Sequence, residues 1–530
     1  MSTTTFDTSS QPTPRRPSLQ PAREGAPLGE PELLEPGRNV ARVERAERVG
    51  VFYDSASYFD ALVDALREAR QTIYIAAWDL HSGVQLRRGE DGCTLREVLK
   101  EAMAARPGLR VYMMLWGKTF PYSALGEWFQ EQKVTWSLPD DRFAYNAIAT
   151  PPRASAHQKV VVVDDVLAFV GGVDLAQHRW DTIDHEVNHP QRTGPRGTSY
   201  GPFHDVHGVL SGDAARAFGE VFRHTWEHTF EGDAALVTPW EAAPIWPRGV
   251  EPLFEDVPVG VGCNRPSWAG EEARHLEALW GDLIDSARDH LYVETQYLAH
   301  EALVDRVVAR LRREDCPEMV FVLPLKPGGT LPEELTIGRL TDADAERMRE
   351  NDLHDKLRLV TPKVCEEGEE AWPYVHAKVA VVDDRVLRLG SSNLAQRSTG
   401  SDNELDCVIE AAGVRQVRDR LLAAHLGLSQ AQVRDFIDRT GSMVELIDFC
   451  DSNRSLVQRP QDNPPPLPQL TQMLVNPKRS LASESFSEFA RDAAGHLADH
   501  PAKAALIALV MLVMLASLIG VVWGIAALVT

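Results

Sequence analysis

Two histidines in this chain are each followed two residues later by a lysine and five beyond that by an aspartate. The first set is His157, Lys159 and Asp164, and the second is His376, Lys378 and Asp383. Each set runs through six more residues to a small-residue step and then a polar side chain: Gly171, Gly172 and Asp174, then Gly390, Ser391 and Asn393. Every counterpart lies 219 residues further on. A repeat of that length points to two similar domains, or to one domain duplicated and fused.

The β-branched run 160–163 reads as a buried strand, on which side chains two apart share a face. Each His therefore projects together with its Lys. An imidazole beside a fixed ammonium suits a phosphate, because the ammonium neutralises the oxygens while a ring nitrogen attacks phosphorus. One such pair supplies a nucleophile and no acid for the leaving group. Two facing pairs supply both, since one imidazole attacks while the other donates and later removes a proton. A single match to so short a pattern carries little weight; two copies with matching tails carry much more.

The elements that must position these groups follow a regular rhythm. Residues 58–70 have helical spacing with Phe59, Leu62, Val63 and Leu66 on one side, and 72–78 and 109–116 read as strands around a helix that includes 95–105. Strand 206–210 and helix 213–227 follow the first motif. Helix 271–288 and strands 291–294, 319–323 and 375–382 then repeat the order, which argues for α/β layers.

The motifs resemble the signature of the phospholipase D superfamily, H-x-K-x4-D followed by Gly-Ser or Gly-Gly and then Asn or Asp. HQKVVVVD with AFVGGVDLAQHRWD is similar to the first motif of the eukaryotic-type phospholipases D, and the blocks at 51–80, 200–212 and 291–298 resemble that group's flanking blocks. The likeness covers residues 50–410. It implies two α/β/α sandwich domains in a pseudo-two-fold, bilobal α/β body, with the active site in the cleft between them. It also implies that His157 is the nucleophile, that His376 protonates the departing alcohol, and that Lys159, Lys378 and Asn393 hold the phosphate oxygens. Asp174 stands where the second motif has Asn393, and an acid there is not expected to touch a phosphate directly.

Each imidazole needs a carboxylate on its other nitrogen to fix the tautomer; Glu404 is expected to serve His376, and Asp181 to serve His157. Asp164 and Asp383 belong to the signature and also suit turns. Trp180 and Tyr297, with Trp78, are candidates for a headgroup pocket. No metal or other cofactor is required, because Lys and Asn supply the charge stabilisation.

Other features bound the reading. Residues 1–45 are rich in Pro, Ser, Thr and Gly, are expected to be disordered, and lack the apolar core of a secretory signal. Domains are expected at 46–245 and 246–450, then a Pro-rich linker and juxtamembrane segment at 451–502, within which 486–497 has an amphipathic pattern, and a transmembrane helix at 503–530. Residues 504–529 carry no charge, and at ~1.5 Å per residue they reach roughly 39 Å as a helix, enough to cross a bilayer. Lys478, Arg479, Arg491 and Lys503 precede that run, so the catalytic body is expected on the cytoplasmic side of a bacterial inner membrane.

The net charge of −22 argues against nucleic acid as the partner. Phospholipid and the bilayer are the expected partners. Six scattered cysteines form no metal or disulfide pattern. His185-Glu186-Val187-Asn188-His189 matches H-E-x-x-H, but Pro190 and the glycines at 194 and 197 suit a loop rather than the helix that a zinc site needs. The expected activity is phospholipase D hydrolysis or transphosphatidylation of glycerophospholipids such as phosphatidylcholine. Cardiolipin synthesis, nucleic-acid phosphodiester cleavage and a non-catalytic membrane tether are the alternatives.

Overall fold

β-branched and aliphatic runs form strands buried on both faces, and amphipathic segments between them form the helices that cover those faces. The computed structural model describes residues 32–460 except 118–137, 139–141, 152, 195–196, 231–243, 327–333 and 451, together with 467, 472 and 475–477. The first half contains β1 (Arg42–Phe52), α1 (Ser55–Glu68), β2 (Thr72–Ala77), α2 (Leu95–Ala105), β3 (Arg110–Trp116), β4 (Phe143–Ile148), β5 (Val160–Val163), β6 (Leu167–Gly171), β7 (Phe203–His204), β8 (His207–Gly212) and α3 (Asp213–Thr229). The second half contains β9 (Phe254–Arg265), α4 (Leu276–Ser286), β10 (His290–Glu294), α5 (Glu301–Leu311), β11 (Glu318–Val322), β12 (Leu357–Glu366), β13 (Tyr374–Val375), β14 (Val379–Val382), β15 (Val386–Gly390), β16 (Glu404–Glu410), α6 (Arg415–Leu426) and β17 (Arg454–Gln458).

The halves repeat one strand order. In the first, β4, β3 and β2 are parallel neighbours, and β5, β6, β8 and β1 continue antiparallel. In the second, β12, β11 and β10 are parallel, and β14, β15, β16 and β9 continue antiparallel. β1 and β9 pair antiparallel from Arg42 opposite Val261 to Val49 opposite Phe254. The two halves therefore share one continuous sheet.

Alternation along each strand assigns its faces. Ile73, Ile75 and Ala77 pack on Leu62, Leu66, Val98 and Leu99 of α1 and α2, whereas Tyr74 and Ala76 face Phe218 and Phe222 of α3. Likewise Leu291 and Val293 pack on α4 and α5, and Tyr292 faces Leu422 and Leu426 of α6. The core under α3 and α6 runs through both halves. Each aliphatic side chain buried there contributes about 1.5–3 kcal/mol, so the halves are held together by packing as well as by the β1–β9 ladder.

Order begins earlier than the composition of 1–45 predicts. Leu34 and Val40 are buried against α4, and β1 starts at Arg42. Two apolar side chains with a place in the core suffice to tie down that stretch; residues 1–31 lie outside the described residues. The expected linker from 451 is also corrected at its start, because 454–458 adds an edge strand to β12. The amphipathic segment 486–497, the basic residues around it and the apolar run 504–529 lie outside the described residues. Among those that are described, no helix is long and apolar enough to cross a membrane.

Candidate active site

Both histidines open into one cavity of about 770 Å³, which Trp78, Tyr297, Asp174 and Asn393 also line. What brings them there is an exchange of strands between the halves. Ala156 bridges to Asn403, and the amide of His157 donates to the Asn403 carbonyl at 2.9 Å. In mirror fashion β13 pairs with β7, and the amide of His376 donates to the His204 carbonyl at 2.8 Å. In each case the next residue along the accepting strand is an acid.

Those acids orient the rings. Nδ1 of His157 lies 2.8 Å from Glu404, and Nδ1 of His376 lies 2.7 Å from Asp205. This corrects both expected pairings. Glu404 serves the first-motif histidine, and Asp205 takes the place assigned to it beside His376. Asp181 is spent elsewhere, on His185, Arg192 and the amide of Phe203. Sequence reasoning missed Asp205, although a signal was present. Asp205 stands two residues before His207, which pairs with Gly171, and Glu404 stands two residues before Asp406, which pairs with Gly390. The two acids occupy the same register position in the repeat.

The small-residue steps make room for this arrangement. A Cβ on Gly172 would lie 2.1 Å from the Asp205 carboxylate. Its counterpart Ser391 donates its hydroxyl to Glu404 at 2.5 Å. The fully buried Arg388 ties the second step to Asp406 and to the carbonyls of Lys378 and Ser392.

The lysines are buried behind the cavity wall, each turned to the carbonyl of its own histidine. Lys159 Nζ is 3.2 Å from the carbonyl of His157 and 3.3 Å from Asp174. Lys378 Nζ bonds the His376 carbonyl and lies 3.4 Å from the Gln296 amide oxygen. Burial, followed by the neighbouring ammoniums, holds both imidazoles well below the ordinary histidine value. Burial pushes Glu404 well above the carboxylate range, with Asp402 adding to the effect. It pushes Asp205 up to about 7 and Lys378 down to about 7, each opposed by the other's charge. An unprotonated ring nitrogen is what a nucleophile needs, and a bound anion would restore the protons on the other ring and on Lys378.

Asp164 and Asp383 stand away from the cavity. Both sit at left-handed turn positions, with φ of 53° and 49°. The Asp164 carboxylate accepts from the amides of Arg70, Gln71 and Thr72, and the Asp383 carboxylate from those of Arg288, Asp289 and His290. Each pins the start of β2 or β10 to its hairpin and touches no ring. Trp180 is buried in the first-half core beneath Arg88, and the cavity wall does not include it. Tyr297 does line the cavity, its hydroxyl accepting from Gln296 at 3.0 Å. Trp78 stacks on Trp116 and presents an edge towards His157. The H-E-x-x-H stretch is a loop, with His185 buried and His189 against Trp180. Among the described residues, His204, Glu294 and His425 are spaced to hold a metal ion, but each histidine is hydrogen-bonded to Glu294.

A family model described as Phospholipase D matches residues 65–244, and one described as Cardiolipin synthase, PLD-like domain matches residues 281–423. The two matches fall one on each half and include one motif each. The chain belongs to the phospholipase D superfamily. Its relatives include phospholipase D A of Dictyostelium discoideum, 24% identical over 70% of this chain and 34% of that protein. Phospholipase D alpha 1 of Carica papaya is 24% identical over 66% of this chain and 59% of its own length. The chain thus spans about a third to three-fifths of these two relatives. Among solved structures, a phosphatidylserine synthase from Haemophilus influenzae shares the fold at 15% identity and a TM-score of 0.50, covering 78% of this chain and 88% of that one.

Proposed function

We propose that this superfamily member is a phospholipase D that cleaves or exchanges the headgroup of glycerophospholipids through a phosphohistidine. The observation that carries the reading is the pair of imidazoles opening into one cavity, each backed by a carboxylate from the opposite half. His157 attacks phosphorus through Nε2 while Glu404 holds its Nδ1 proton. His376, oriented by Asp205, gives its proton to the departing alcohol. It then takes a proton from water or from a second alcohol, which attacks the phosphohistidine and releases phosphatidic acid or a new phospholipid. Lys159, Lys378 and Asn393 answer the charge on the phosphate oxygens. The uncharged run 504–529 holds the body at its substrate, with that body on the cytoplasmic face.

Cardiolipin synthesis is the second reading, favoured by the description of the family matched by residues 281–423. Purified full-length protein given vesicles of phosphatidylcholine or of phosphatidylglycerol separates the two. The first reading predicts free headgroup and phosphatidic acid; cardiolipin as the sole product contradicts it. Membrane fractionation of the full chain beside one truncated before residue 504 tests the anchor, which predicts that the shorter chain is released.

A further inference from the structure

Beneath His376 runs a buried chain of side chains that the proposed chemistry does not use. Asp181 Oδ2 lies 3.0 Å from Nδ1 of His185, His185 Nε2 lies 3.0 Å from Nδ1 of His204, and His204 Nε2 lies 2.6 Å from Glu294 Oε2. All four residues are buried. The two ends are carboxylates, which only accept, so each outer contact needs an N–H. The central contact needs one N–H facing one lone pair. Three protons on two imidazoles amount to one positive charge.

The surrounding groups agree with that count. Glu294 Oε1 accepts from the Tyr292 hydroxyl at 2.5 Å and from His425 Nε2 at 2.9 Å, as expected of an ionised carboxylate. Nδ1 of His425 has no partner among the described residues, so that ring needs one proton only. Arg192 Nη1 donates to Asp181 Oδ1 at 3.2 Å. Two carboxylates, one guanidinium and one imidazolium sum to zero, the condition under which buried charge is tolerated. Asp54, which also faces His185, accepts from the amide of Ser57 at the start of α1, and burial pushes its carboxyl up from the ordinary value, which disfavours a further negative charge there. A metal ion held by His204, Glu294 and His425 would need the two Nε2 lone pairs that these hydrogen bonds assign to protons.

The position of the pair gives it a role. The carbonyl of His204 receives the amide of His376, and the next residue is Asp205. Asp181 and His185 belong to the first half, whereas Glu294 and His425 belong to the second. We propose that His185 and His204 share one buried proton, and that this imidazolium pins residues 203–205 to the second half and so sets the position from which Asp205 orients His376. These are positioning residues. Their link to His376 rests on the phosphodiesterase reading, whereas the proton count does not.

Glu294→Gln removes one counter-charge, so the pair should lose its third proton at lower pH. In protein labelled with 15N-histidine, nitrogen spectra of the wild type at pH 8 should show two coupled rings with three protonated nitrogens, and the variant should show two. In turnover of phosphatidylcholine or phosphatidylglycerol vesicles, the basic limb of kcat should move down by about one pH unit or more. KM should stay within about twofold, and acidification should restore kcat. A purely architectural role would lower kcat equally at every pH. Two protonated nitrogens in the wild type, a variant pH profile parallel to the wild type, or stoichiometric metal in the purified protein would overturn the proposal. Should Glu294→Gln not fold, His185→Gln serves instead. Its amide accepts from or donates to His204 equally well, so the pair's share of the basic limb should vanish, and an unchanged limb would count against the proposal. If neither lipid is turned over, the spectra still decide the proton count.

Discussion

The two halves of the site have the same backbone and different charges. In the first, Lys159 has a carboxylate beside it, Asp174, at 3.3 Å. In the second, the counterpart of Asp174 is Asn393, and Lys378 reaches, besides the His376 carbonyl, the neutral Gln296 amide at 3.4 Å. Glu404 receives a serine hydroxyl where Asp205 has only the bare Cα of Gly172 in front of it. A duplicated fold can thus place two identical rings in different charge environments, which suits the separate roles proposed for them. The largest expected effect tests that division. His157→Asn should lower kcat by about 10⁴-fold or more on any phosphodiester, since in the proposed mechanism His157 alone forms the covalent bond. His376→Asn should be about as damaging on a natural lipid, yet on a p-nitrophenyl ester, whose leaving group needs no proton, it should recover much of the first-step rate, read as the burst of p-nitrophenol, while turnover stays slow for want of the base. Equal recovery by both variants would break the comparison.

The crossed carboxylates come next. Glu404→Gln and Asp205→Asn should each lower kcat by about 10²- to 10⁴-fold through loss of the ring orientation. Glu404→Gln should behave like the His157 variant, without rescue by p-nitrophenyl esters, and Asp205→Asn like the His376 variant, with rescue. The burst of p-nitrophenol, beside steady-state kinetics on the natural lipid, checks this, and the reverse pattern would restore Glu404 to His376.

A pH profile sharpens the electrostatic difference. With Asp205 pushed up to about 7 and Lys378 pulled down to about 7, kcat/KM should follow a narrow bell around neutrality. Below it Asp205 gains a proton, and above it Lys378 loses one. Bound phosphodiester is an anion and raises both values, so the bell for kcat should sit at higher pH than the bell for kcat/KM. Asn393→Asp copies the first half into the second and should move the free-enzyme bell the same way.

The smallest effect on chemistry belongs to the turn aspartates. Asp164→Ala strands three backbone amides, and should cost about 2–4 kcal/mol of stability by denaturant unfolding while leaving the pH profile unchanged. Asp383→Ala, in a more exposed turn, should cost less.

Much of the arrangement was legible in the residues. The repeat of 219 marked both motifs, and the β-branched runs marked the strands that follow His157 and His376. The exchange of strands was not legible, because Asn403 and His204 show no pattern that announces a backbone partner in the other half. That exchange decides which carboxylate meets which ring, so spacing along the chain reveals neither the Glu404–His157 pair nor the Asp205–His376 pair, although Asp205 lies within the block 200–212. Trp180 misled for a simpler reason. It neighbours the motif in sequence, yet its indole belongs to the core under Arg88. Leu34 and Val40 were hidden by the polar company they keep.

The division of labour is tested most directly by locating the covalent intermediate. Wild-type protein quenched during turnover of a phospholipid should carry an acid-labile phosphoryl group, and fragmentation of its peptides by mass spectrometry should place that group on His157. A phosphoryl group on His376, or none on either ring while product accumulates, would contradict the account.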